Sequence, residues 1–265
     1  MKTAEAFLNE LKKTPQVPFS IDQLLPDSRQ AFMIICGQPE IGKTNLSLHL
    51  AFCLAKGEPF FHYKTQKKKV GYLAMEGGQQ QIGTRIEILS QHFQGIPDNF
   101  FIQVVPPLPL TEKGKTELMS LVTGLEVVII DPLKFLIPGD YMKPSDVMKA
   151  LTAVIQIQNE TSTTFILVGH IRKPDRKQIS YPEDYWTELK GPTEYMEMTN
   201  SALMLTRPAH SQDSRGYFTS SPNDRILYFI KTRDATKELK PLKLKFNREK
   251  LLYLPIEERC EEGYS

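Results

Sequence analysis

An α/β fold is what this sequence predicts: a mostly parallel central sheet flanked by helices and extended by C-terminal antiparallel strands. Three observations carry that expectation. Apolar runs of strand length alternate with helical patterns up to about residue 170, and such runs pack as a parallel sheet buried on both faces. A glycine-lysine loop, "CGQPEIGKTN", joins the first of these runs to the first helical pattern. From about residue 201 the helical patterns stop, and "SALMLTR", "RILYFIKTR", "LKLKFN" and "LLYLP" follow, separated by turn residues. That succession reads as a meander of antiparallel strands on one edge.

The elements follow in order. Residues 4–12 form a short amphipathic helix with Phe7, Leu8 and Leu11 on one side, ended by Pro15 and Pro18, which cannot continue a helix and stiffen the connector. Residues 1–20 are therefore an N-terminal helix and connector, and 21–265 the core, with the β-meander from about 201. Strands are expected at 31–36, 70–75, 100–105, 126–131 and 164–169, and helices near 43–55, 79–93, 112–123 and 146–159. The last helix carries Val147, Met148, Leu151, Val154 and Ile155 at helical spacing, with Ser145 as its N-cap. Residues 172–192, rich in Lys, Arg, Tyr and Pro without periodicity, read as a long loop.

Composition excludes several classes. With 265 residues, 40% of them hydrophobic, the chain can bury one sizeable core. A net charge of +2 rules out a whole surface that attracts polyanions, so any nucleic-acid contact must come from a local patch. The three cysteines lack metal-ligand spacing; Cys36 and Cys53 lie in apolar runs and read as buried free thiols, and Cys260 lies in an acidic stretch. The N-terminal segment has no apolar core of signal-peptide type, and no uncharged apolar run reaches the ~18 residues a membrane span needs. A cytoplasmic location with no membrane contact is expected.

The loop carries the chemistry. Gly37, Gly42, Lys43 and Thr44 fit G-x-x-x-x-G-K-[ST], with Gln38, Pro39, Glu40 and Ile41 between the glycines and Asn45 after the threonine. A strand before the motif and a helix after it are what a phosphate cradle requires. The glycines let backbone N–H groups converge on phosphate, and the helix N-terminus adds partial positive charge. Lys43 would reach the β- and γ-phosphates and Thr44 would offer its hydroxyl to Mg²⁺. "EVVIIDPL" ends a strand in Asp131, a second group for the metal. "YLAMEGG" ends the next strand after the loop helix in Glu76, where a carboxylate can orient and deprotonate an attacking water. "FILVGHIRK" places His170 at a further strand end, within reach of a γ-phosphate.

With these four elements in this order, the chain resembles the RecA-type P-loop motor ATPases, and among them the RepA-like and DnaB-like ring helicases. The resemblance runs from about residue 21 over nearly the whole chain, through "IDQLLPDSRQAFMIICGQPEIGKTNLSLHLA", "VGYLAMEGG", "VVIIDPL", "ILVGHIRK" and "KGPTEYMEMTNSALMLTR". It implies a RecA-like fold, ATP and Mg²⁺ as cofactors, and hydrolysis by Glu76, Lys43 and His170. It also implies a homo-oligomeric ring, such as a hexamer, with ATP sites between subunits. "YFIKTRD" offers the K-x-R pattern of a basic finger, so Lys231 and Arg233 would complete a neighbour's site. The helix at 4–12 could then dock on the adjacent subunit. The loop interior is less glycine-rich than in many relatives, and Pro192 stands where a small polar residue is common.

In such motors the loops after the fourth and fifth strands face the central channel, here 134–145 and 172–190. Arg172, Lys173, Arg176 and Lys177, followed by Tyr181, Tyr185 and Trp186, suit single-stranded DNA, through cations on phosphates and rings against bases. Asp175, Glu183, Asp184 and Glu188 in the same loop offset much of that charge. Two functions follow from the resemblance. One is an ATP-hydrolysing ring motor, a helicase or translocase in replication of a plasmid, phage or mobile element. The other is an ATP-dependent assembly switch or recombination regulator that acts through protein partners with little unwinding.

Overall fold

The computed structural model describes residues 2–13, 18–27, 31–170, 197–208 and 221–256. The chain runs through α1 (Ala4–Leu11), a small pair β1 (Phe19–Ile21) and β2 (Leu25–Pro26), then β3 (Phe32–Gly37), α2 (Lys43–Lys56), β4 (Val70–Ala74) and α3 (Gln79–His92). It continues through β5 (Phe100–Val104), α4 (Glu112–Val122), β6 (Val127–Asp131), a 3₁₀ turn (Leu133–Leu136), α5 (Pro144–Thr161) and β7 (Thr164–Val168). Four strands follow: β8 (Ser201–Thr206), β9 (Asp224–Thr232), β10 (Leu242–Asn247) and β11 (Leu252–Pro255). The expected strands and helices between residues 31 and 169 all form, because each apolar run has the length and period of its element.

Apart from β1 and β2, the strands join one sheet in the order β11-β10-β9-β8-β3-β7-β6-β4-β5. Its faces sort by alternate residues. Met33 and Ile35 of β3 pack with Leu46, Leu50 and Leu54 of α2 and Ile82 and Leu89 of α3. Phe32, Ile34 and Cys36 pack on the other face with Leu118 of α4 and Leu151 and Val154 of α5. Helix α2 is buried on nearly every side, the position of a helix inside the core rather than on its surface.

Three details differ from the sequence expectation. Strand β8 pairs parallel with β3, Met33 opposite Ser201 and Gly37 opposite Leu205. The reversal comes one strand later, where β9 runs antiparallel to β8, and β10 and β11 continue the meander. An apolar run encodes burial and leaves strand direction open. Helix α5 starts at Pro144 with Lys143 in the N-cap place and no side-chain cap, so Ser145 lies inside the first turn; proline suits a first turn because its missing N–H has no partner to lose. Strand β5 is an edge, with Phe101 and Ile102 exposed and Lys69 over the Phe101 ring.

The described thiols Cys36 and Cys53 are both free and buried. Among the described residues no helix is long and apolar enough to cross a membrane.

Candidate functional site

Strand β3 ends at Gly37, the chain turns through Glu40 at φ 60° and Gly42 at φ 103°, and α2 begins at Lys43. Gly42 is required twice over. Its φ lies in the left-handed region, and a Cβ there would sit 1.9 Å from the Tyr253 hydroxyl. Gln38 is half-buried, Pro39 and Glu40 are exposed, Ile41 is buried, and Thr44 and Asn45 are half-buried in the first turn of α2. The Lys43 ammonium folds over the loop, donating to the carbonyl oxygens of Gly37 at 3.0 Å and Gln38 at 2.8 Å. Burial lowers the Lys43 pKa to about 8, opposed by the attraction of Asp131, Cys36 and Glu76. A cation so nearly desolvated gains more than an exposed one from a bound anion.

Asp131 closes the site from β6. Its Oδ2 accepts hydrogen bonds from Thr44 Oγ1 at 2.7 Å and from the Tyr72 hydroxyl at 2.9 Å. Ser47 Oγ, one turn along α2 from Thr44, lies 2.9 Å from the same tyrosine oxygen. Tyr72 is fully buried on β4, and burial raises its pKa well above the ordinary value, so it stays a neutral donor. Burial also raises the Asp131 pKa, while Thr44, Tyr72 and Lys43 pull it back. Two elements, α2 and β4, thus fix one carboxylate oxygen of a third, β6.

Glu76 and His170 lie at the same end of the sheet. Ala74 of β4 pairs with Asp131 of β6, and Glu76 follows two residues later, forming an ion pair with Lys134 of the 3₁₀ turn. Val168 of β7 pairs with Ile35, and the Gly169 N–H donates to the Ile35 carbonyl at 2.8 Å. His170 therefore leaves the sheet beside the strand that feeds the loop. Carboxyl ends of parallel strands are where open α/β sheets bind ligands.

Lys231 and Arg233 are elsewhere. Ala202 and Ser201, which begin β8, pair with Lys231 and Thr232, whereas Leu205, level with Gly37, pairs with Leu227. At ~3.3 Å per residue, Lys231 and Arg233 stand roughly 13–20 Å along the sheet from the level of Gly37. Both side chains donate to the Glu197 carbonyl, at 3.2 and 3.3 Å. The fold keeps this basic pair away from its own loop. Arg172, Lys173, Arg176 and Lys177 lie outside the described residues.

The residues present fit a magnesium nucleotide. Thr44 and Asp131 offer hard oxygen donors, and no group of three or more His, Cys, Asp or Glu forms a metal cluster among the described residues. Mg²⁺ commonly takes one or two protein carboxylates and fills its remaining positions with water and phosphate. The loop amides and Lys43 suit the phosphates.

Sequence reasoning missed Tyr72, Lys134, Arg225 and Tyr253. Tyr72 had a signal: a phenol in the middle of a buried strand needs a partner for its hydroxyl. The others offered none, since Lys134 meets Glu76 across 58 residues, Arg225 meets Ile41 across 184 and Tyr253 meets Ile41 across 212.

Residues 5–176 match the sequence profile of the AAA domain. No curated protein matches the chain. Among solved structures, the fold is similar to that of a DnaB-like replicative helicase solved in a study of its interactions with primase. The TM-score is 0.68 at 14% identity, over 97% of this chain and 67% of that chain.

Proposed function

The chain belongs to the AAA domain family, and from that premise we propose that it is an ATP-hydrolysing ring motor acting on DNA. Its fold is that of the RecA-type, DnaB-like P-loop ATPases. The finer reading is a helicase or translocase that works in replication of a plasmid, phage or mobile element. The observation that carries the proposal is the 2.7 Å hydrogen bond joining Thr44, in the first turn after the loop, to Asp131 at the end of β6. That bond brings the two halves of a metal-nucleotide site together from opposite ends of a long sequence separation.

The chain's own groups divide the work. Backbone N–H groups of the loop and of the first turn of α2, Pro39 having none, and the Lys43 ammonium hold the phosphates, and Thr44 and Asp131 hold the cation. Bound Mg²⁺ would neutralise charge on the β- and γ-phosphate oxygens. Glu76 orients the attacking water and takes its proton, with Lys134 steadying its carboxylate. His170 contacts the γ-phosphate from the end of β7. Lys231 and Arg233 act on the site of the next subunit, which supports a ring because they stand far from their own loop. A finger of that kind contributes ~10³–10⁵ in rate. Helix α1, with Phe7 and Leu8 more than half exposed at 55% and 53%, docks on the neighbouring copy. Arg172, Lys173, Arg176 and Lys177 contact single-stranded DNA in the ring channel.

The test is ATP turnover with and without saturating single-stranded DNA, together with mass in solution with a non-hydrolysable ATP analogue. Magnesium-dependent turnover raised by DNA, in a protein the analogue assembles, is expected. A rate that DNA leaves unchanged across salt conditions would count against the motor and for the assembly switch acting on protein partners. Absence of turnover would sink both.

A further inference from the structure

The back of the phosphate loop is closed by two side chains from the C-terminal strands. Tyr253 of β11 is 1% exposed, and its hydroxyl lies 3.1 Å from the carbonyl oxygens of both Ile41 and Gly42, donating its hydrogen between them. Arg225 of β9 is 5% exposed and donates its Nε–H to the Ile41 carbonyl at 3.1 Å. Its Nη1 donates to the carbonyls of Pro222 and Asp224 at 2.8 and 2.7 Å. The guanidinium is thus turned onto backbone oxygens behind the loop.

The peptide plane converts those contacts into an effect on the front. In a trans peptide the C=O and the following N–H point in opposite directions within one rigid plane. Holding the Ile41 oxygen from behind therefore aims the Gly42 N–H forward, and holding the Gly42 oxygen aims the Lys43 N–H forward. These are N–H groups at the start of α2, where a helix has no internal acceptor for them and where anions bind. The Gly42 plane is also held by the Leu46 N–H of α2 at 3.1 Å. The Ile41 plane rests on its two side-chain donors, and without them it could rotate and swing its carbonyl oxygen toward the ligand.

We infer that Arg225 and Tyr253 are positioning residues of the phosphate loop, fixing from behind the Ile41–Gly42 peptide plane and, in the case of Tyr253, adding to the helix bond from Leu46 on the Gly42–Lys43 plane, the two planes whose amides face the bound phosphates. The antiparallel extension is then part of the site rather than an appendage to the sheet. This deepens the nucleotide reading above and rests on it.

The test compares wild type with Tyr253→Phe, which removes the hydroxyl and keeps a ring packed beside Phe246, whose centroid is 4.9 Å away. Affinities for ADP and for inorganic pyrophosphate are measured by calorimetry, with the ligand-free thermal midpoint and the amide NMR shifts of Gly42 and Lys43. Both affinities should fall by the same factor, about tenfold, the scale of one lost hydrogen bond. The midpoint should fall by no more than about 4 °C, and the two amide resonances should move. Unchanged affinities overturn the inference. So does an affinity loss with unmoved amides, because the hydroxyl would then act through general packing. Wild-type protein that binds neither probe overturns the nucleotide reading itself, and this inference with it.

Discussion

Tyr72 sits where a phenylalanine would fill the same space, and its hydroxyl is the only part of it that touches the site. That hydroxyl and Thr44 both bond Oδ2 of Asp131, which fixes the carboxylate plane. Tyr72→Phe should leave ADP affinity without magnesium within about twofold, since the loop is untouched. The gain in ADP affinity on adding Mg²⁺ should shrink by about 10–100-fold, the usual effect of losing a group that orients a metal ligand. Calorimetric titration of ADP with and without Mg²⁺ measures both quantities. An undiminished gain would show that Thr44 alone orients Asp131.

At the scale of elements, α2 joins the site to the core. It begins at Lys43 and buries Leu46, Leu48, Leu50 and Leu54 completely, so the loop is anchored by the most enclosed helix described. Leu50→Ala should destabilise the protein by about 2–5 kcal/mol, read from urea unfolding; a loss below about 1 kcal/mol would mean the helix is not held by that packing. The same burial explains what the sequence could reveal. Strands β3, β4, β6 and β7 were legible because both faces are covered, which leaves unbroken apolar runs. The loop, Asp131 and Glu76 were legible because a strand end and a local motif mark them. The parallel direction of β8 was hidden because pairing partners lie far apart in the chain. Lys134, Arg225 and Tyr253 were hidden for the same reason: their partners are set by the sheet, and nothing in the neighbouring residues announces them.

For the whole molecule, the distance between the loop and the basic end of β9 bears on the proposed assembly. If Lys231 and Arg233 serve the next subunit, Arg233→Ala and Glu76→Gln should each be nearly inactive alone. Mixed at equal concentrations, they should recover part of the turnover, because some interfaces then pair an intact glutamate with an intact arginine. The readout is ATP hydrolysis by mixtures whose co-assembly is checked by mass. No recovery in co-assembled mixtures would mean that each site is complete within one chain.

Strand β9 has unequal ends. Arg225 at one end grips the loop of its own chain, and Lys231 and Arg233 stand at the other. In the proposed ring, repeated head to tail, such a strand would act as an arrow: each copy would point from the site it braces toward the site it completes. Identical arrows laid end to end would give that ring a sense of rotation before any substrate arrives. The direction in which one site is linked to the next would then be set by the strand itself, since reversing it would require the strand to exchange its ends.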